Sequence, residues 1–212
     1  MSGFSLSIPE HLPEAERLRM QSMLALEENA WAAGFVRVAG VDEAGRGPLA
    51  GPVVAGAVVL AWPVAGLDDS KRLSESRREA LFEELTGGDH LIGVGTVSAS
   101  EIDQIGIQSA NYRAMARAVE MLQPAPDFLL VDGFSLPGVV PPVVKVIKGD
   151  QRSLSIAAAS IVAKVTRDRW MKTLDQEYPA YGFGRHKGYG TAYHLDVLAR
   201  LGPCPEHRRS FA

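Results

Sequence analysis

Residues 36–60 read VRVAGVDEAGRGPLAGPVVAGAVVL, and this stretch decides the fold class. Residues 36–41 form a short β-branched run and predict a strand. Asp42 and Glu43 follow directly on it, then comes a glycine-rich segment. Residues 53–60 are uninterrupted apolar side chains and predict a second strand, buried on both faces. Working outward, residues 14–33 read as a helix with Leu18, Leu24, Leu26 and Trp31 as core positions. Residues 74–85 read as a helix that opens on Ser74 with Glu75 and Glu79 close by and ends at Gly87-Gly88. Residues 91–97 alternate enough for a third strand. Residues 107–122 read as a helix stopped by Pro124 and Pro126. Strands are expected at 128–131 and 143–147. A long helix is expected at 153–178, rich in alanine at Ala157, Ala158 and Ala159, and a further one at 191–201 before Gly202-Pro203. This order predicts an α/β layer domain with a mixed β-sheet flanked by helices and a helical C-terminal region.

Composition narrows the partners. The 212 residues include 25 acidic and 22 basic side chains, for a net charge of −3. An apolar content of 46% with 22% charged residues excludes a disordered chain and is ample for a hydrophobic core. The single cysteine, Cys204, excludes an internal disulfide framework and fits a reducing, cytoplasmic compartment. The run at 53–60 is far shorter than the roughly 20 residues of a membrane span. Glu10, Glu14 and Glu16 leave no secretory apolar segment at the start. The charge is uneven. Residues 1–144 hold 10 basic and 19 acidic side chains, whereas 145–212 hold 12 basic and 6 acidic. A basic C-terminal third is a local site for a polyanion, or the ordinary scatter of charge on helix surfaces.

Carboxylates end three of the expected strands. Asp42 and Glu43 close the first, Asp132 closes 128–131, and Asp150 follows 143–147 after Lys148-Gly149. Ligand sites of α/β sheets gather at such strand ends. Clustered carboxylates repel one another unless a cation lies between them, and all-oxygen ligation suits Mg²⁺ or Mn²⁺ rather than zinc. Each acid alone is equally a turn former or helix cap, Asp132-Gly133 above all. For Asp150 the alternative to a metal ligand is a cap for the following helix. Neighbouring strand residues point to opposite faces, so Asp42 and Glu43 share a site only where the strand ends or bulges.

Gly45-x-Gly47-x-x-Ala50, with Asp68 and Asp69 downstream, matches a permissive dinucleotide fingerprint. That fingerprint must open a helix, whereas Pro52 and a β-branched run follow here. Two carboxylates just before the loop would also repel a pyrophosphate. The glycines instead permit close backbone approach, with Arg46 available to a phosphate. An ordinary glycine turn between strands fits the same residues.

Together these segments resemble bacterial ribonuclease HII. Asp42-Glu43-Ala44-Gly45-Arg46-Gly47, continuing to Val53, is similar to the family's opening motif. Asp69-Ser70-Lys71-Arg72-Leu73, Val131-Asp132-Gly133 and Lys148-Gly149-Asp150 resemble its next motifs. So do residues 155–168, His186-Lys187-Gly188-Tyr189-Gly190-Thr191 and His207-Arg208-Arg209-Ser210-Phe211. The matches keep the family's order across residues 42–211. The related ribonuclease HIII carries an additional N-terminal domain, and only about forty residues precede Asp42 here, which favours HII.

The resemblance implies a ribonuclease H-like fold: an N-terminal helical segment at 1–35, a catalytic core at 36–180 and a substrate-binding helical region at 181–212, within one compact unit. It implies metal-dependent hydrolysis of the RNA strand of RNA–DNA hybrids. It also implies incision 5′ of single ribonucleotides in duplex DNA, leaving 3′-hydroxyl and 5′-phosphate ends. Asp42, Glu43, Asp132 and Asp150 would be catalytic and would hold two Mn²⁺ or Mg²⁺ ions, with Asp42 bridging. Backbone amides of Gly45, Arg46 and Gly47 would read the 2′-hydroxyl. Tyr189 would stack on the sugar of the nucleotide 3′ to the ribonucleotide. Lys71, Lys187 and Arg46 are expected phosphate contacts, with solvated surface charge as the plainer reading. His186 reads as a satisfied surface histidine before it reads as a phosphate contact or proton carrier. Lys164 and Asp168, four apart on one helix, predict an ion pair. Trp170 and Met171 are expected to pack.

The resemblance also allows a sliding-clamp contact, and a monomer is the default. Three other functions remain compatible with the sequence: a non-catalytic hybrid- or duplex-binding module, another nuclease such as a junction resolvase, and a dinucleotide-binding enzyme.

Overall fold

The computed structural model describes residues 6–211. Five strands form one mixed sheet, β1 (Val38–Ala44), β2 (Val53–Val59), β3 (Leu91–Val97), β4 (Phe128–Asp132) and β5 (Val143–Val146), in the order β3-β2-β1-β4-β5. β1–β2 and β2–β3 pair antiparallel; β1–β4 and β4–β5 pair parallel. The mixed sheet expected from the sequence is present.

The helices are α1 (Glu14–Ala32), α2 (Glu75–Thr86), α3 (Ala99–Ile105), α4 (Ile107–Glu120), α5 (Leu154–Glu177), α6 (Phe183–His186) and α7 (Ala192–Leu201). On one sheet face, α5 packs with α1 and α2 around Met20, Leu24, Leu81, Ile156 and Ile161. On the other, α4 and α3 pack Ile102, Ala114 and Met115 against Val41, Val53 and Val131. A third cluster, with Met171, Leu174, Tyr181, Phe183 and Val197, seats the C-terminal helices on the end of α5.

Glycines on the sheet set how close the helices come. A Cβ on Gly40 would lie 2.1 Å from the Ser155 carbonyl carbon, so α5 rests on the β1 backbone itself. The amino end of α5 is tied to α1. Buried Glu27 accepts from the Ser153 hydroxyl at 2.6 Å, the Ser155 hydroxyl at 2.7 Å and the Ser155 amide at 3.0 Å. Burial still pushes the Glu27 carboxyl above its ordinary range.

Several local expectations change. β1 runs on through Asp42 and Glu43 rather than stopping before them, because its pairing with β2 continues to Ala44↔Val54. α3 was not foreseen; a Ser98–Glu101 capping box starts it, a signal readable in the sequence. Leu18 is 60% exposed, since it lies across α1 from the stripe Met20, Met23, Leu24, Glu27 and Trp31. Leu24 and Trp31 are buried, and Leu26 packs partly against the same cluster. Trp170 is 45% exposed because it falls beside the Arg167, Met171, Leu174 stripe, whereas Met171 is buried as expected. Among the described residues no helix is long and apolar enough to cross a membrane.

Candidate active site

The sheet opens beside Asp42. Pairing of β1 with β4 stops at Val41↔Val131, while pairing with β2 carries Asp42 and Glu43 onward. Asp132 ends β4, on the adjoining strand. After β5, Lys148 adopts a left-handed φ of 53° and starts a 3-10 turn at Gly149–Gln151. The Gly149 amide donates to Asp132 Oδ1 at 2.6 Å, so this turn is fastened to the neighbouring acid and delivers Asp150 beside it. Asp150 is not the cap of α5; Ser153 caps it, accepting from the Ile156 amide at 3.1 Å.

Asp42, Asp132 and Asp150 each offer a carboxylate oxygen, all within 4.8 Å of one another. Glu43 is not in this group. It lines a cleft with Asp42, its Oε1 3.9 Å from Arg46 Nη1 and its Oε2 buried without a hydrogen-bond partner. Alternation along β1 accounts for the separation.

The electrostatics are those of crowded acids. Burial, then the Glu43 and Asp132 charges, push Asp42 well above the usual carboxylate range. Burial raises Glu43 to about 7, with Arg46 opposing and Asp132 reinforcing. Burial, then Asp69 and Asp132, raise Asp150 to about 6. Lys71 faces the cluster. Burial disfavours its charge, but Asp69, Asp42, Asp150 and Asp132 together raise it above its ordinary value. An all-oxygen cluster in which Asp42 and Asp150 resist ionisation, with one orphaned carboxylate oxygen of Glu43 beside it, fits a hard divalent cation.

The other expected residues divide. Gly45, Arg46, Gly47, Lys71 and Tyr189 line the cleft with Asp42 and Glu43. Tyr189 is 49% exposed, so it is no core tyrosine. Lys187 does not line the cleft, and its ammonium donates to the Gly184 carbonyl. The Arg46 side chain is already engaged. It lies 4.5 Å over the Phe134 ring and reaches Gln108 Oε1 at 3.2 Å. His186 is half-buried with both ring nitrogens bonded, to the Tyr181 carbonyl and the Gly188 amide. Lys164 and Asp168 form the expected ion pair at 2.7 Å.

Four residues that the sequence does not assign to the site lie near its centre. Asp69 touches Asp150, and Arg78, Lys164 and Arg167 line the cleft. Asp69 stands in the quoted Asp69-Ser70-Lys71 segment, and Arg167 in the quoted helix segment.

Comparison with known proteins is consistent across sequence and structure. The family model for ribonuclease HII matches residues 39–212. The chain belongs to the ribonuclease HII family. Ribonuclease HII of Geobacillus kaustophilus is 55% identical over 196 residues, covering 92% of this chain and 75% of that protein. Ribonuclease H2 of Pyrococcus horikoshii OT3 superposes with a TM-score of 0.69 at 30% identity, covering 82% of this chain and 93% of that one. A ribonuclease HII of Archaeoglobus fulgidus, solved with PCNA, gives 0.69 at 28% identity, covering 84% of this chain and 96% of that one. The fold is therefore ribonuclease H-like. As a ribonuclease HII, the chain is a hydrolytic nuclease of the ribonuclease H type, whose substrate class is the RNA–DNA hybrid.

Proposed function

We propose that the chain incises duplex DNA on the 5′ side of single embedded ribonucleotides, besides cutting hybrid tracts. The ends would be 3′-hydroxyl and 5′-phosphate, and the role would be ribonucleotide removal during replication and repair in the cytoplasm. One observation carries this reading: Asp42, a member of the acidic triad, lines the same cleft as two free backbone amides. The carbonyls of Gly45 and Arg46 accept from Arg208 at 2.6 Å and 3.0 Å. A trans peptide points its N–H opposite to its C=O, so the Arg46 and Gly47 amides face away from Arg208. Among the described residues neither amide donates to a protein acceptor. Two unpaired donors where glycine allows close approach suit a 2′-hydroxyl, the group that separates RNA from DNA.

Asp42, Asp132 and Asp150, with Glu43, would hold Mg²⁺ or Mn²⁺, which when bound would activate water and offset charge on the phosphate. Lys71, beside the cluster, is placed to hold a substrate phosphate near the acids. Tyr189 offers an exposed ring for stacking on the next sugar. Residues 36–180 serve as the catalytic core and 181–212 as the substrate-binding region. Contact with a sliding clamp rests on the Archaeoglobus relative alone.

The test offers the protein a ribonucleotide-bearing duplex and a four-way DNA junction side by side, with Mn²⁺ and with excess chelator. Metal-dependent incision of the first alone is expected. Junction cleavage, or binding of both without turnover, would replace this reading with a resolvase or a passive binding module.

A further inference from the structure

The two elements assigned above to sugar recognition meet on one short segment. After a turn at 204–207, residues 206–208 pair antiparallel with the glycine-rich loop, with an isolated bridge between Ala50 and His207. The Gly51 amide donates to the Glu206 carbonyl at 2.9 Å, and the Arg208 amide to the Leu49 carbonyl at 2.8 Å. Leu49 in turn donates to the Gly188 carbonyl at 2.8 Å, next to Tyr189. Along an extended segment successive side chains diverge. His207 and Arg208 accordingly serve different elements.

Arg208 is 3% exposed and, among the described residues, forms no ion pair with a carboxylate. Its guanidinium forks onto three carbonyls, those of Gly45, Arg46 and Gly51. Arg167, 1% exposed, holds the Pro52 and Ala50 carbonyls at 2.9 Å and 3.2 Å. Buried arginine without a counter-ion is costly, and the five carbonyl oxygens are what satisfies these two.

His207 acts in the other direction. Its Nδ1 accepts from the Cys204 amide at 3.0 Å, and a backbone amide can only donate. The neutral ring therefore carries its proton on Nε2, 3.0 Å from His194 Nε2. His194 must accept there, which leaves its own proton on Nδ1, 2.9 Å from the Tyr189 carbonyl. A carbonyl can only accept, so both ends of the chain fix the same direction. The Cys204 amide donates to His207, His207 to His194, and His194 to Tyr189. His194 is 0% exposed and His207 5%, so water does not compete for these bonds.

We propose that His207 and Arg208 form a brace that holds Tyr189 and the Arg46 and Gly47 amides in one register. Arg208 fixes which way the two amides point, and His207 fixes Tyr189 through His194. Both are positioning residues for substrate selection, and the inference rests on the sugar-reading roles proposed above. A displacement of about 1 Å in such a site costs up to about 100-fold in rate.

The test uses Tyr189→Ala, His207→Gln and their combination in the full chain. Incision of a duplex with one ribonucleotide gives kcat and KM, and Mn²⁺ titration by calorimetry reports on the carboxylates independently. His207→Gln should lower kcat/KM about tenfold with Mn²⁺ binding retained. The double variant should be no slower than Tyr189→Ala alone. Arg208→Lys keeps the charge but not the fork, and should also lose about tenfold with Mn²⁺ binding retained. Additive losses in the double variant, or an unimpaired His207→Gln or Arg208→Lys, would overturn the brace. Parallel loss of Mn²⁺ binding would also overturn it, marking general damage to the fold. Full activity of Tyr189→Ala alone would remove the underlying sugar-reading role instead, and the brace with it.

Discussion

Asp42 is held where ionisation is unfavourable, 7% exposed and beside two other acids. Its raised pKa, with those of Glu43 at about 7 and Asp150 at about 6, has a definite consequence for stability. The folded chain keeps protons there that the unfolded chain has already lost above a pH of about 4. Stability contributed by these groups is thus lost as pH rises from about 4 to about 7. In chelator, Asp42→Asn should therefore be more stable than the parent by about 1–3 kcal/mol above pH 7. The difference should shrink towards pH 4, as followed by thermal melts across that range. The same variant should lose at least about 1,000-fold in turnover while duplex affinity stays within a few-fold. The buried histidines oppose this trend in both proteins and cancel in the comparison. Burial, then His194, lower His207 to about 4, so its contribution is lost as pH falls from about 6.5 to about 4. At this scale the sequence was informative about Asp42, Asp132 and Asp150, each of which sits at or near a strand end. It was not informative about Arg167 or Arg208, because the carbonyls that hold a buried arginine come from distant segments and leave no side-chain signature.

Elements carry the next layer. α5 lies directly on β1 and β2 because Gly40 and Gly56 have no side chain to hold it off; a Cβ on Gly56 would come 2.5 Å from the Ala159 carbonyl. Gly40→Ala forces that interface apart by contact with backbone, which cannot rotate away. It should cost about 3 kcal/mol or more, measured by denaturant unfolding. The loss should extend to metal binding, since Asp42 is two residues along the same strand and Asp150 precedes α5. The strands, α2, α4, α5 and α7 were legible within a few residues, because caps such as Ser74, Ser153 and Thr191 mark their starts. The exception was the end of β1. Acidic residues read as leaving a strand, yet β2 continues the pairing past the end of β4. This one-sided extension is a tertiary fact, and it is what places Asp42 at an open edge. α3 was missed although its capping box was present, since Ala99–Ile105 is too short to display a period.

Across the whole molecule, the basic C-terminal third proves to be mostly committed internally. Arg167 and Arg208 are buried on carbonyls, Arg169 pairs with Glu79 and Glu83, Lys172 with Glu75, and Arg200 with Asp196. Charge counted along the chain could not separate these from cations free to meet phosphate. Of the phosphate contacts expected from sequence, Lys71 is exposed beside the acids, while Lys187 and Arg46 already have partners in the fold. Duplex affinity should therefore depend only modestly on salt. Lys71→Ala should flatten the log–log salt slope by about 0.9 and weaken hybrid and ribonucleotide-bearing duplex alike.

The carboxylate cluster, the Arg46 and Gly47 amides and Tyr189 would act together in one cut. The most direct measurement is the mass of both fragments released from a DNA duplex carrying one ribonucleotide, cut in Mn²⁺ or Mg²⁺. The upstream fragment should end in a 3′-hydroxyl deoxynucleotide, and the downstream fragment should begin with the 5′-phosphorylated ribonucleotide. A ribonucleotide left on the upstream fragment, or a 2′,3′-cyclic or 3′-phosphate end, would contradict this reading.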